Sequence, residues 1–460
     1  MKKGLMLLIC ILCGTAVIFG GGQSSSGRAG TQTAGRDTIT LRLWGGVQPE
    51  YGYDTLVANF NREYASKGIQ LEYIRYMNDT NGNVQLETYL TAGGEIDVFL
   101  GYGGNARLVP RIESGLLVDM TDMLKEKSFD YIGELGVNNV SGYIYNGRAY
   151  ALPTKYENDC WIFANVERFK EAGIPIPYSG WTFDEFRDAS RKLTRGSGQN
   201  KEYGMWWGVL QGAASNTVRN IISSVLGKYA TYKDDAKTET NFDHPIWAQG
   251  LQLMVDTMRN DQTAITLEDE VADRIGFDQA FLTGKTAMAV GIAQIRLIKD
   301  LNEYPHNFTT AVIPAPIPSR DYWQLADHNL KPGAGDLISI SSRTRYLEES
   351  MDLVLWYIKG GIAPLAWGGR IPLWTGVEKQ SVLNAIMDGA EGVFDRESLL
   401  SYISIDFRQA VTEEAGPALS QVTTAISEEL QAALYGRKTV QQALSDAKTR
   451  GDALIRSVPR

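Results

Sequence analysis

The stretch Tyr150-Ala-Leu-Pro-Thr-Lys-Tyr-Glu-Asn-Asp-Cys-Trp161 sets two aromatic rings, Tyr156 and Trp161, among Glu157, Asn158 and Asp159. That mixture suits a hydroxylated ligand, because rings stack on C–H faces while carboxylates and amides hold hydroxyls. Pro153 fixes one backbone dihedral and brings no N–H to a ladder. The expectation is that the chain crosses here between two lobes and that the crossing lines a cleft. Carboxylates at Asp97, Glu157, Asp159 and Asp336 also leave a glycosidase open, which needs two of them roughly 5–9.5 Å apart.

Other chemistries find less support. The three histidines, His244, His306 and His328, are scattered, with no second His or Cys at metal spacing. Zinc hydrolysis and Ser-His-Asp catalysis are therefore disfavoured, and no metal, cofactor or catalytic residue is expected. Gly284-Lys-Thr286 resembles the end of a phosphate loop, but position 279 is Gln where the leading Gly belongs. Gly101-Tyr-Gly103 lacks the third glycine of a dinucleotide fingerprint. In Asp79-Thr-Asn-Gly-Asn83 the glycine is misplaced for a calcium loop, and a polar turn is the better reading.

At 460 residues, two or three domains are expected. Composition is that of a soluble globule, 43% apolar and 22% charged, and a net charge of -9 argues against a nucleic-acid partner. Met1-Lys-Lys followed by apolar Gly4 to Phe19 reads as an export signal, short of the ~20 residues of a membrane span. Residues 1–20 are assigned to this signal and 21–36 to a flexible Gly/Ser tether. The product is exported, periplasmic or cell-surface. Lipid tethering is weakly supported, because Cys10-Ile-Leu-Cys13 departs from a lipobox. Only Cys160 remains beyond the signal, so no intrachain disulfide is available.

These side chains need elements to position them. Ile39, Leu41 and Leu43 alternate as a strand ending at Trp44-Gly-Gly46, Leu56 to Tyr64 has helical spacing, and Ile69 to Tyr73 alternates again. That is β-α-β, the unit of a largely parallel sheet. Glu95-Ile-Asp-Val-Phe-Leu100 is a short apolar run fit for a buried strand, closed by Gly101-Tyr-Gly-Gly-Asn105, and ligands gather at such carboxyl ends. A second β/α region follows Trp161. It includes a capping box and staple at Trp181 to Phe186, the cluster Tyr203-Gly-Met-Trp-Trp-Gly208, a helix opened by Asp243-His-Pro245, and a strand from Thr286. A second capping box, Thr439 with Gln442, opens the last helix. Two further crossings are expected at 286–291 and 335–341.

Several stretches carry a family resemblance. Gly94-Glu-Ile-Asp-Val98 resembles a "G-x-x-P-D-V" strand, Tyr150-Ala-Leu-Pro153 a "Y-G-x-P" crossing, and Phe281-Leu-Thr-Gly-Lys-Thr-Ala-Met288 an "F-x-x-G-x-x-A-M" motif. Leu434 to Leu444 is similar to a closing helix pair. Together they resemble the extracellular solute-binding proteins of ABC importers, of the carbohydrate-uptake, maltose-binding-protein-like type. The resemblance implies an α/β, two-lobe fold with a multi-segment hinge and an interlobe cleft. One lobe would comprise 37–152 plus 289–338, and the other 153–288 plus 339–460.

The same resemblance implies a monomer that takes a carbohydrate, an oligosaccharide, to membrane permease subunits without catalysis. A secreted carbohydrate-active enzyme, or a binder of a peptide or polyol phosphate, stays open. By position, Trp44, Tyr102, Asp159, Trp161, Trp206, Trp207, Gly335 and Arg370 are the expected ligand contacts. The family often has Gly-x-Trp after the methionine, whereas Gly291-Ile-Ala293 lacks that ring. Trp367 or Trp374 is the candidate replacement.

Overall fold

The computed structural model describes residues 38–458 except 94, 159–160, 213, 292–293, 324–331 and 405–415. The signal and tether, Asp159, Cys160, Ala293 and His328 lie outside the described residues. Residues 39–460 form one compact unit.

Among the described residues twelve strands follow in chain order: β1 (Ile39–Gly45), β2 (Ile69–Arg75), β3 (Val98–Gly101), β4 (Ile144–Tyr145), β5 (Arg148–Ala149), β6 (Leu152–Asn158), β7 (Trp161–Asn165), β8 (Tyr203–Trp206), β9 (Thr286–Val290), β10 (Thr310–Pro314), β11 (Pro332–Ile340) and β12 (Ile371–Pro372). A six-stranded sheet has the order β12-β6-β11-β3-β1-β2, and a four-stranded sheet the order β10-β7-β9-β8. β1 pairs parallel with β2 and β3, whereas β11 runs antiparallel to β3 and β6.

Period-two alternation builds the layers. In the first sheet Leu41, Leu43, Val98 and Leu100 face one core with Leu56 and Phe60 of α1 (Tyr53–Tyr64). Trp44 and Phe99 face the opposite core, with Leu86 and Leu90 of α2 (Thr80–Ala92) and Leu108 and Ile112 of α3 (Asn105–Glu113). In the second sheet Phe163, Trp206 and Val312 face one way, and Ile162, Met205, Trp207 and Ile313 the other. Helices cover both faces of each sheet, giving two α/β lobes.

Both capping boxes form, at Thr182 with Glu185 and Thr439 with Gln442. Trp181 and Phe186 meet edge to face at 5.0 Å. Asp79 caps α2 by accepting from Gly82 N at 2.8 Å, which accounts for the polar turn.

The chain passes from the first sheet to the second between β6 and β7, within the stretch 150–161, but the boundary drawn at 152/153 falls inside β6, and the other crossings differ. β9 and β10 both belong to the second sheet, and 339–340 continue β11 in the first. The sheets are therefore rejoined between β10 and β11, and again after β12. The boundaries drawn at 288/289 and 338/339 cut across this membership. The physical reason is local: β9 and β11 both carry buried apolar runs, and periodicity does not say which sheet a strand joins.

Candidate functional site

The parallel strands β1, β2 and β3 end side by side, and their following turns 46–48, 76–78 and 102–104 open at one edge of the first sheet. Antiparallel β11 enters at the same edge, because Leu337 pairs with Gly101. Gly335 pairs with Lys155 of β6, and Pro372 of β12 pairs with the same lysine. This register delivers Lys155, Asp336 and Arg370 to one place.

The result is a cavity of about 680 Å³ lined by Gly46, Asn78, Tyr102, Tyr143, Lys155, Asp336 and Arg370 among others, with Gln294 and Arg296 contributed after β9 of the second sheet. It is a cleft between lobes at the carboxyl ends of strands.

Asp336 is buried with φ 50, a left-handed conformation that Asp tolerates better than most residues. Its carboxylate meets Arg370 Nε at 2.8 Å and lies 3.7 Å from Lys155 Nζ. Burial by itself would lower the Arg370 pKa, but Asp336 opposite it overrides that and holds the guanidinium charged. Thr154 Oγ1 donates to Asp336 O at 2.8 Å and Tyr143 donates to Ala334 O at 2.6 Å, so the β11 backbone is fixed from both sides. The Tyr102 hydroxyl accepts from Gly46 N at 2.9 Å, and burial pushes its pKa well above the ordinary value.

Arg75, Lys155, Arg296 and Arg370 face the single carboxylate Asp336 among the described lining residues. Asp336 is shared by Arg370 and Lys155. Arg75 and Arg296 have no ion-pair partner among the described residues; Arg75 ends β2 of the first sheet, and Arg296 follows β9 of the second. The cavity therefore carries excess positive charge, and its backbone-rich glycine turns supply further N–H donors.

Of the eight expected contacts, Tyr102, Gly335 and Arg370 converge on this wall, and Asp159 lies outside the described residues. Four tryptophans are placed elsewhere. Trp44 is 5% exposed and packs against Tyr89 at 4.9 Å. Trp161, also 5% exposed, meets Tyr402 edge to face at 5.2 Å. Trp206 and Trp207 are fully buried on opposite faces of the second sheet, Trp206 beside Phe277 and Trp207 donating to Thr257 Oγ1 at 2.9 Å. Strand alternation explains this: consecutive residues of a sheet covered on both faces all enter a core.

Trp374 donates to Glu134 at 2.6 Å and Trp367 stacks on Tyr51, and neither joins the lining of this cavity. Asp97 is occupied in the first sheet, accepting from Arg42 N and Thr344 Oγ1. Sequence reading missed Arg75, Lys155 and Arg296 as site residues. Arg75 and Lys155 each carried a signal, the first at a strand end and the second within the crossing itself.

A model of the bacterial extracellular solute-binding proteins matches residues 47–359. The sn-glycerol-3-phosphate-binding periplasmic protein of Pectobacterium atrosepticum is 23% identical over 449 residues, covering 92% of this chain and 93% of that one. Among solved structures, a sugar transporter from Rhizobium etli in an open conformation matches with TM-score 0.65 at 15% identity, covering 92% of this chain and all of its own. The cyclic alpha-maltosyl-1,6-maltose binding protein of Arthrobacter globiformis matches with TM-score 0.62 at 16% identity, over 91% of this chain and all of its own.

Proposed function

The chain belongs to the bacterial extracellular solute-binding proteins, and from that premise we propose that its interlobe cavity captures a small hydroxylated solute bearing an anionic group. The chain is the exported, substrate-binding component of an ABC importer, handing a small molecule to permease subunits. Its family and structural neighbours are binding proteins. The finer reading is a monomer without a catalytic step, free or lipid-tethered outside the membrane.

One observation carries the ligand class: Arg75, at the end of β2, and Arg296, after β9, line one cavity with no acidic ion-pair partner among the described residues. A phosphate or carboxylate would supply the missing charge and accept bidentate hydrogen bonds. Asp336 and the glycine turns would hold hydroxyls beside it. The glycerol-3-phosphate-binding relative supports a polyol phosphate.

A neutral oligosaccharide is the second reading, favoured by the sugar-binding neighbours. An enzyme reading would need a second carboxylate, and Asp336 on this wall is already ion-paired.

Calorimetric titration with glycerol 3-phosphate, glycerol and maltose separates the first two. Saturable binding of the phosphate but not of glycerol, weakened at least about tenfold by Arg75→Ala, is expected. Tight maltose binding indifferent to Arg75→Ala would select the oligosaccharide instead.

A further inference from the structure

A second cavity, of about 790 Å³, shares the segment 363–370 with the first: Ala363, Pro364 and Trp367 line it, whereas Gly368 and Arg370 line the central one. Two helices form its walls. On α1, Thr55, Asn59 and Glu63 recur every fourth residue and so make one stripe. On the helix Lys379–Met387, Asn384 and Ala385 face the cavity, and Asp388 follows at its end. Trp356 and Trp367 complete the lining.

The groups in this cavity are held in place. Trp356 Nε1 donates to Glu63 at 2.6 Å, while Trp367 is stacked against Tyr51 with ring centroids 5.5 Å apart and carries Lys299 Nζ 4.0 Å from its centroid, which leaves the half-buried Trp356 as the ring for a ligand. Asn59 Oδ1 accepts from Arg62 at 2.8 Å, and Asn384 Oδ1 accepts from Gln380 at 2.6 Å. Both amide NH2 groups are left without a hydrogen-bond partner among the described residues. Glu50 and Asp388 likewise make no salt bridge there. Glu50, Glu63 and Asp388 outweigh Lys359 on the lining, and Lys299, over the Trp367 ring and facing Asp388, offsets part of that charge without reversing it, so this cavity is negative where the central one is positive. It disfavours the anions that the central cavity attracts.

We infer that this cavity is a second solute site, for a neutral or amine-bearing saccharide unit. A pyranose presents a C–H face that suits an indole ring, and hydroxyls that suit free amide donors and carboxylate acceptors. An amine would be drawn to Asp388 and Glu50. The site joins the lobes: α1 packs on the first sheet, while the helix Lys379–Met387 packs on the helix Arg396–Ile403, which lies against β10 of the second. A saccharide bound here touches elements that pack on both sheets, on a face separate from the central cavity.

Saturation-transfer NMR on the exported chain, titrated with cellobiose and with glucosamine, tests the assignment. The titration is made in Arg370→Ala, which disables the central cavity, and in Arg370→Ala carrying Asn59→Ala and Asn384→Ala. The expected result is saturable binding of at least one probe in Arg370→Ala, weakened at least about tenfold by the added pair. Absence of saturable binding of either probe in Arg370→Ala overturns the site, as does binding that the added pair leaves unchanged. Circular dichroism verifies that each variant, including Arg370→Ala at its buried ion pair, keeps the fold. Failure of glycerol 3-phosphate to bind the unmodified chain would remove the central reading alone, since the second site is read without it.

Discussion

Glu270 shows how much a single buried charge contributes away from the ligand. It has no exposed surface, and its oxygens accept from the N–H groups of Val209 at 3.2 Å and Leu210 at 2.6 Å. Burial opposes the carboxylate and outweighs those two bonds, pushing its pKa from 4.5 up to about 7. The folded chain keeps this proton to about pH 7, while the unfolded chain releases it near 4.5. The unfolded state therefore binds fewer protons in that window, and stability falls as pH rises through it, by up to about 3 kcal/mol. Lys299, which burial lowers from 10.5 to about 7, acts only above that window, where its release from charge adds stability with rising pH. Denaturation midpoints measured between the two Glu270 values should fall in the wild type and flatten in Glu270→Gln. An unchanged slope in the variant would remove Glu270 as the cause.

At the scale of elements, the site is a consequence of register more than of any motif. Gly46 follows β1 where a Cβ would meet Tyr102 Cε2 at 2.8 Å and Asn78 Cβ at 2.9 Å. Three strand-end turns thus pack without room for a methyl, and Gly46→Ala must push them apart. The expected outcome is a folded chain destabilised by roughly 1–3 kcal/mol, as for other overpacked sites, with weaker binding in the central cavity by calorimetry. Wild-type affinity in that variant would mean the turns do not shape the site. The strands and helices themselves were legible, since Leu41 and Leu43 alternate, Thr182 with Glu185 caps a helix, and Phe281 to Met288 carries a family pattern. The strand end before Tyr102 was legible too, whereas Gly335, expected ahead of a strand, lies inside β11. The tryptophans were not, because a ring beside Gly or Asn reads alike whether it lines a cleft or fills a core. Trp206 and Trp207 are decided by helices covering both faces of their sheet, and that coverage comes from segments far away in sequence. Lys155 becomes a site residue only once Gly335 is paired to it across β11.

At the scale of the whole molecule, capture requires the ligand to distinguish closed lobes from open ones. A ligand shifts that equilibrium only by the difference in its affinity for the two states. Contacts from the first lobe alone, such as Arg75, Tyr102 and Arg370, are available in both states and so favour neither. Among the described lining residues only Gln294 and Arg296 follow a strand of the second sheet, β9, so the closing contact is assigned to them. Arg296 is exposed, its guanidinium lies 6.0 Å from the Tyr51 ring centroid, and it has no carboxylate partner among the described residues, so it is available to a ligand anion. A charge-assisted hydrogen bond made only on closure is worth about 1.5–3 kcal/mol, which moves the open–closed ratio about 10- to 100-fold. Arg296→Ala should therefore cost compaction more than it costs first-lobe binding: small-angle scattering with saturating glycerol 3-phosphate should show the wild type contracting and the variant staying extended. Arg75→Ala, saturated at higher ligand concentration, should still contract. Equal compaction in the wild type and Arg296→Ala would place the closing contact on some other residue of the second lobe.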